Sequence, residues 1–325
     1  MSMRYIFGPV GSSRLGRSLG IDLLGRKICS FDCLYCEVGP TAKHTLLRSP
    51  YVRAEAIREE LLVWRDEHID LPDYVTLGGS GEPCLNSELP EILALCRELF
   101  PSTPLAVLTN STLLGDPQVR AELAGADAVL PSLDSLVPSE YERLNQPVPG
   151  FDLHTLAQGL LEFCREFPGK IFLEVLLAKG INDTEQNLGL LKDYVVGLRP
   201  ERVDVVTMTR PGAHAGALPV DANTLERWRE ALTVDKGPAA ASSHSGPEAP
   251  QFKGKPPSSE PLANIDETIY ASLCRRPQTA LQLASALGIE PVLVDRALAT
   301  LLEHGHILRL DNGPGLPFYR GTSRT

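Results

Sequence analysis

No uninterrupted apolar run in the 325 residues approaches the roughly 20 that a membrane-spanning helix needs, which excludes a helical membrane span. The first residues, Met1-Ser2-Met3-Arg4-Tyr5-Ile6-Phe7-Gly8-Pro9, lack the apolar core of a secretory signal, so a cytoplasmic location is the expectation. Positive charge is short as well. There are 31 Lys and Arg against 41 Asp and Glu, a net charge of −10, which argues against a chain that holds nucleic acid mainly by phosphate contacts. A local basic patch stays compatible with that balance. Cysteine is scarce and uneven: of seven in the chain, none falls in residues 1–28 and three fall in 29–36. That distribution does not read as a disulfide framework.

Those three form the most informative stretch, Cys29-Ser30-Phe31-Asp32-Cys33-Leu34-Tyr35-Cys36, at CxxxCxxC spacing after the apolar run 19–24. A loop with these offsets can wrap three thiolates around one corner of a 4Fe–4S cube, and thiolate is the ligand such clusters prefer. Three ligands for four irons leave one iron open to a substrate or cofactor, as a catalytic metal keeps an open position. A zinc site or a redox dithiol uses similar spacings. Closed zinc would need a fourth ligand from Cys84, Cys96, Cys164 or Cys274, of which Cys84 is the best placed, beside another loop motif. Spacing alone leaves these readings open.

Short apolar segments at 19–24, 74–77, 105–108, 128–130, 170–177 and 203–208 alternate with amphipathic helical patterns at 54–68, 88–100, 116–124, 139–144, 153–166 and 184–198. Six strands alternating with helices argue for an α/β fold with a parallel sheet. Periodicity does not separate a curled sheet from a flat one. From 235 to 261 the chain is mostly Gly, Pro, Ser and Ala, with Phe252 its only large apolar residue. Such a segment cannot offset an ordering cost of roughly 1–2 kcal/mol per residue, and a disordered linker is expected. Beyond it, helices at 265–274, 279–288 and 292–304, strands at 307–310 and 317–320 and a turn at 311–315 form a second, small unit resembling a winged helix. Six Lys and Arg balance six Asp and Glu from 262 onward, so this unit shows no strongly basic face.

Cys29, Cys33 and Cys36 with the aromatic Tyr35, together with Tyr5-Ile6-Phe7-Gly8-Pro9-Val10, Ser13-Arg14-Leu15-Gly16-Arg17-Ser18-Leu19-Gly20-Ile21-Asp22 and Cys36-Glu37-Val38-Gly39, resemble the radical S-adenosylmethionine (SAM) enzymes. The resemblance runs to about residue 234 and is to a prokaryotic branch related to wyosine-type tRNA-modifying enzymes. Gly11 departs from it where proline is the family's residue, which concerns only the stiffness of that loop. The resemblance implies a partial TIM-like barrel of six βα units over 1–234, the linker at 235–261 and the winged-helix-like unit at 262–325. It implies a 4Fe–4S cluster on Cys29, Cys33 and Cys36, with S-adenosyl-L-methionine on the open iron. Reduction by a flavodoxin- or ferredoxin-like donor would then cleave SAM to a 5′-deoxyadenosyl radical that abstracts hydrogen from a substrate.

The resemblance also places cofactor contacts at strand ends. In Gly78-Gly79-Ser80-Gly81-Glu82-Pro83 the expected cofactor-binding residues are Gly78, Gly79, Gly81 and Glu82, although a glycine-rich loop by itself is also a tight turn. Tyr35 and Asn110, in Thr109-Asn110-Ser111, complete that set with Glu174, whose alternative is a paired buried carboxylate within an apolar strand. Asp134, in Ser132-Leu133-Asp134-Ser135, falls at the carboxyl end of a strand, where barrel active sites form, or else caps a helix. Arg210 ends the last strand and could meet an anionic group. Asp134 and Arg210 are the catalytic candidates; His214 could relay a proton or be solvated, and Asn182-Asp183-Thr184 reads as a helix cap. Wyosine-forming relatives carry a second cysteine set before the radical motif. Its absence from residues 1–28 argues against transferring that activity, although an RNA base remains the substrate suggested by family analogy. The competing reading is a non-catalytic iron–sulfur redox sensor acting through the C-terminal unit, which a flexible linker of about 27 residues disfavours.

Overall fold

The structure, a computed structural model, describes residues 3–12, 14–214, 216–234, 265–310 and 316–322. The expected linker at 235–261 and the turn at 311–315 lie outside the described residues. The chain runs β1 (Ile6–Ser12), β2 (Gly16–Ile21), β3 (Ile28–Cys29), β4 (Lys43–His44), α1 (Ala54–Glu67), β5 (Tyr74–Leu77), α2 (Leu89–Leu99), β6 (Leu105–Thr109) and α3 (Pro117–Leu123). Then follow β7 (Ala128–Pro131), α4 (Pro138–Asn145), α5 (Leu153–Glu166), β8 (Lys170–Leu177), α6 (Glu185–Leu198), β9 (Arg202–Thr207) and α7 (Ala222–Ala231). The last group is α8 (Ile265–Arg275), α9 (Ala280–Leu287), α10 (Pro291–Glu303), β10 (Ile307–Leu310) and β11 (Phe318–Gly321).

Seven strands form one curled half-barrel sheet in the order β1-β2-β5-β6-β7-β8-β9. The six expected strands are present and mutually parallel, from β2 through β9. The seventh, β1, is an antiparallel edge strand beside β2 that the alternation pattern does not show. Its half-exposed, glycine- and proline-containing sequence has no apolar periodicity to read. Helix α7 was likewise not expected; Trp228 is its one buried residue.

Side-chain alternation sorts each strand into two faces. Leu105, Val107, Val129, Ile171, Leu173 and Val175 face the helices, joining α1 (Ile57, Leu61, Trp64) and α5 (Leu156, Leu160, Phe163) in the main core. The intervening residues Ala106, Leu108, Ala128, Leu130 and Phe172 line the concave face with Leu15. Ala106 pairs in register with Ala128, and Leu108 with Leu130, so the interior is layered: small residues, then leucines, then the polar strand ends.

Leu15 stands in the turn between β1 and β2, yet it is 6% exposed because it packs into this concave cluster. The neighbouring Arg14 forms an ion pair with Glu174 of β8. Arg202 of β9 donates from Nη2 to the Arg14 carbonyl at 3.2 Å, stacks its guanidinium 3.9 Å from the Phe172 ring and pairs with Asp204 at 2.9 Å. One turn therefore ties the first strands of the half-barrel to the last.

The C-terminal helices pack around Ile269, Leu273, Leu283, Val294, Leu298 and Ile307, with β10 and β11 antiparallel. Thr279 and Gln282 make a reciprocal capping box at the start of α9, and Gly288 at φ 64° ends it, a conformation that suits glycine. Among the described residues no helix is long and apolar enough to cross a membrane.

Leu15→Ala should lower stability by about 2–5 kcal/mol by opening the concave cluster. Urea unfolding of the metal-free protein checks this, with a lower midpoint at unchanged slope; an unchanged midpoint would mean the turn does not close the interior.

Candidate functional site

Cys29 ends β3, whose parallel partner β4 brings His44 opposite it. The loop that follows has almost no regular structure, and its backbone is held by groups from far along the chain. The Asp32 amide donates to the carbonyls of Asn145 and Gln146 (3.2 and 3.0 Å), Leu34 to Leu144 (2.9 Å), and Val148 donates back to the Ser30 carbonyl (3.0 Å). Orphan carbonyls at the C-terminus of α4 thus become the anchor of the cysteine loop. On its other side, the Thr41 amide donates to Asp32 Oδ1 at 2.6 Å, and His214 Nε2 lies 3.0 Å from Asp32 Oδ2. Gly212 lies so close that a Cβ there would stand 2.4 Å from the Leu34 carbonyl oxygen.

In front of the three cysteines lies an open cavity of about 170 Å³. Its lining includes Cys29, Cys33, Cys36, Tyr35, Gly79, Gly81, Glu82, Asn110 and Glu174, nine of the twelve residues expected at the site. Arg14, Lys27, Thr109 and Ser132 also line it, with Leu108 and Leu130 as its apolar wall. Gly78 packs against Leu108 at the end of β5 instead, and Asp134 and Arg210 are absent from the lining.

The glycine-rich loop is docked on the cysteine strand. Gly81 bridges Ile28, and a Cβ on Gly81 would fall 1.7 Å from the Ile28 carbonyl oxygen, a backbone atom that cannot step aside. Asp22 holds the same loop through Ser80, whose hydroxyl and amide both donate to its carboxylate. Glu82, 1% exposed, accepts from the Cys84 amide (3.0 Å), the Thr109 hydroxyl (2.8 Å) and the Asn110 amide (2.6 Å). Burial still pushes its carboxyl above the ordinary glutamate value against the pull of those donors. Glu82 therefore clamps two strand-end loops together at the cavity edge.

Asp134 is 2% exposed and fully engaged behind the cysteines. Its Oδ2 accepts from the Tyr35 hydroxyl (2.6 Å) and from Asn145 Nδ2 (2.7 Å), and its Oδ1 from the Leu176 amide (2.9 Å). Its backbone carbonyl accepts from both Asn182 and Asn187. Burial raises its pKa, opposed by the Tyr35, Asn145 and Leu176 hydrogen bonds. Arg210 donates to Glu37 at 3.0 Å, one residue past Cys36. Both expected catalytic residues thus grip the cysteine loop rather than face the cavity. Of Asn182-Asp183-Thr184, expected to cap the following helix, Thr184 caps α6, while Asn182 accepts from the Ala178 amide and donates to the Leu176 carbonyl.

Each of the three cysteines receives one side-chain N–H. Lys27 Nζ donates to Cys36 Sγ at 2.9 Å, Asn110 Nδ2 to Cys29 Sγ at 3.4 Å and Asn145 Nδ2 to Cys33 Sγ at 3.7 Å. Burial pushes the Cys29 thiol up to about 11 and the Cys33 thiol well up, the neighbouring thiols adding to the rise at Cys33. Burial works against the Lys27 ammonium, but Cys36 and Cys29 together outweigh it and raise the lysine's pKa. Lys27 and Asn145 were not expected at the site. A basic residue two positions before Cys29 was a readable signal; Asn145, 112 residues from Cys33, carried none.

A donor set of three thiols facing one cavity, with no carboxylate or imidazole among them, suits an iron–sulfur cube. Among the described residues no three His, Cys, Asp or Glu side chains gather as a single ion requires. Cys84, the candidate fourth zinc ligand, is fully buried and hydrogen-bonds Thr109.

The family model of the radical SAM superfamily matches residues 26–188. A UPF0026 protein of Synechocystis sp. is 37% identical over 207 residues, covering 63% of this chain and 76% of that protein. A Brachyspira hyodysenteriae protein named GTPase Obg is 30% identical over 309 residues, covering 94% of this chain but 44% of that protein, so this chain spans less than half of that relative. A solved radical SAM methyltransferase from Sphaerobacter thermophilus shares the fold at TM-score 0.51 and 16% identity, covering 66% of this chain and 62% of that one.

Asp134→Ala leaves the Tyr35 hydroxyl, the Asn145 amide and the Leu176 N–H without their acceptor, at an expected cost of about 3 kcal/mol or more. Urea unfolding of the metal-free variant beside Tyr35→Phe and the double variant checks it. Strictly additive losses would show that the two side chains are not coupled.

Proposed function

The chain belongs to the radical SAM superfamily, and from that premise we propose that it is an enzyme whose Cys29, Cys33 and Cys36 hold a 4Fe–4S cluster. Members of the superfamily bind such a cluster together with S-adenosylmethionine; when bound and supplied with one electron, the pair furnishes a 5′-deoxyadenosyl radical. The observation that carries this reading is the placement of all three thiols on one wall of a cavity at the carboxyl ends of parallel strands.

The chain's own residues have distinct tasks in this reading. The backbone of Gly79 and Gly81 borders the cavity beside the cysteines and suits the polar end of SAM, while Leu108 and Leu130 offer an apolar wall to its adenosyl part. Glu82 holds the glycine loop to Asn110, and Asp134 acts through Tyr35 as a positioning residue. Arg210 steadies the loop through Glu37. Glu174, paired with Arg14, forms the polar floor on which substrate or ribose would rest.

We assign residues 1–234 to the catalytic barrel, 235–261 to a linker and 262–325 to a winged-helix-like unit that docks a partner or the substrate. Three helices and an antiparallel hairpin around one core support that last assignment. A flavodoxin- or ferredoxin-like protein is the proposed electron donor. An RNA base is the substrate class that family analogy suggests, and no feature of the cavity selects it.

Anaerobic reconstitution with iron, sulfide, dithionite and SAM should release 5′-deoxyadenosine, and Cys33→Ala should abolish the release. A fully formed cluster with no SAM cleavage under dithionite would overturn the enzyme reading. Nucleoside analysis of total RNA from a deletion strain should show one missing modification; an unchanged profile removes RNA as substrate.

A further inference from the structure

Lys27, Asn110 and Asn145 come from three separate segments: the turn before β3, the end of β6 and the last residue of α4. They converge as one side-chain N–H donor per cysteine sulfur. Packing alone does not call for such an arrangement, since an apolar side chain would fill the same space without needing an acceptor.

The orientation of each donor is set by other partners. An asparagine amide can present either its oxygen or its nitrogen, and the surrounding bonds decide which. At Asn110 the oxygen accepts from the amide and hydroxyl of Thr112, at 3.2 and 2.8 Å, which turns Nδ2 toward Ser30 and Cys29. At Asn145 the Asp134 carboxylate takes one Nδ2 hydrogen at 2.7 Å, so the nitrogen must lie on this side, and its other hydrogen is shared between Cys33 at 3.7 Å and the Tyr35 hydroxyl at 3.5 Å. The Asn145 oxygen is buried and has no hydrogen-bond partner, a cost the fold bears to keep the nitrogen there. Lys27 is donor-only and makes its hydrogen bond to Cys36.

Resting on the proposed function, we propose that Lys27, Asn110 and Asn145 form a built set of sulfur-directed donors that raises the reduction potential of the cluster. One-electron reduction takes an electron from the donor and adds one negative charge, which spreads onto the ligand sulfurs. Hydrogen bonds to those sulfurs, and above all a full positive charge at one of them, favour the reduced form. Lys27 therefore contributes most, and the two amides less. The device suits a chain of net charge −10, whose remaining field opposes the arrival of an electron. It also gives Asp134 a further task, since its carboxylate fixes the amide that serves Cys33.

The test is a redox titration of the reconstituted full chain without SAM, following the reduced cluster by electron paramagnetic resonance. At the potential where the wild type is half reduced, Lys27→Met should shift the reduced-to-oxidised ratio about tenfold toward oxidised, a midpoint about 59 mV lower for one electron. Asn110→Leu and Asn145→Leu should each shift it about two- to threefold. Lys27→Arg, which keeps charge and donor, should stay within about twofold of wild type. Iron and sulfide analysis confirms loading in each variant. A fully loaded Lys27→Met protein with the wild-type midpoint overturns the inference. Should that variant fail to load, wild-type midpoints for both asparagine variants overturn it equally. The failure of the underlying reading looks different: the wild type then holds no cluster, or titrates normally without cleaving SAM.

Discussion

The cysteine loop can only work if a stretch with no secondary structure of its own is held still, and that constraint organises much of the half-barrel. A loop of eight residues carrying three reactive sulfurs cannot bury enough apolar surface to fix itself. It borrows rigidity from the end of α4, whose last carbonyls would otherwise need water, and from the strap between β9 and α7. The first anchor is backbone-directed, and the second adds a bond from the His214 amide to the Leu34 carbonyl to its Asp32 contact, so they fix the path of the chain while leaving the sulfurs turned toward the cavity. The glycine loop then closes the opposite side, at a distance that only a residue without Cβ can reach.

Most polar groups buried around this loop are satisfied, the Asn145 amide oxygen, the Tyr141 hydroxyl and Arg210 Nε being exceptions. The carboxylates of Glu82 and Asp134 each accept three hydrogen bonds, and each joins segments that the sheet alone would not bring together. An unsatisfied carboxylate at either position would cost more than the loop could recover. Rigidity near the cysteines therefore comes from two small polar clusters set between the apolar outer core and the concave face. A network of this kind specifies one geometry, whereas an apolar filling of similar volume would admit several.

The parts legible in the sequence were those encoded locally. Cys29, Cys33 and Cys36, the glycine run at 78–81 and the alternation of apolar strands with amphipathic helices all announce themselves within a few residues. Nine of the twelve expected site residues do line the cavity, because a strand end in a parallel sheet points to one place whatever the details of curl. Asp134 was placed at the correct strand end, but sequence has no way to show that Tyr35, 99 residues away, already occupies its carboxylate. The Arg210–Glu37 contact was hidden for the same reason, the two residues being 173 apart. The edge strand β1 was hidden because its sequence has no apolar repeat, and the inward turn at Arg14 and Leu15 because its partners lie on β8, β9 and the concave face.

The floor of the cavity shows why substrate identity is harder to read than cofactor chemistry. Cofactor-facing groups are dictated by sulfur, iron and backbone geometry, and those demands are the same whatever is transformed. The floor is set by Arg14 and Glu174, with the Arg202–Asp204 pair joined to the Arg14 carbonyl, two cations and two anions that largely neutralise one another. A balanced cluster of this kind exerts no long-range pull on a substrate of either sign; it offers short-range donors and acceptors once an existing ion pair opens. In the proposed function, selectivity at such a floor would depend on how well a substrate replaces the Arg14–Glu174 contact, a polar group exchanged for a polar group. Because Arg14 also ties the first strands to the last, a substrate that displaced Glu174 would act on the closure of the half-barrel itself.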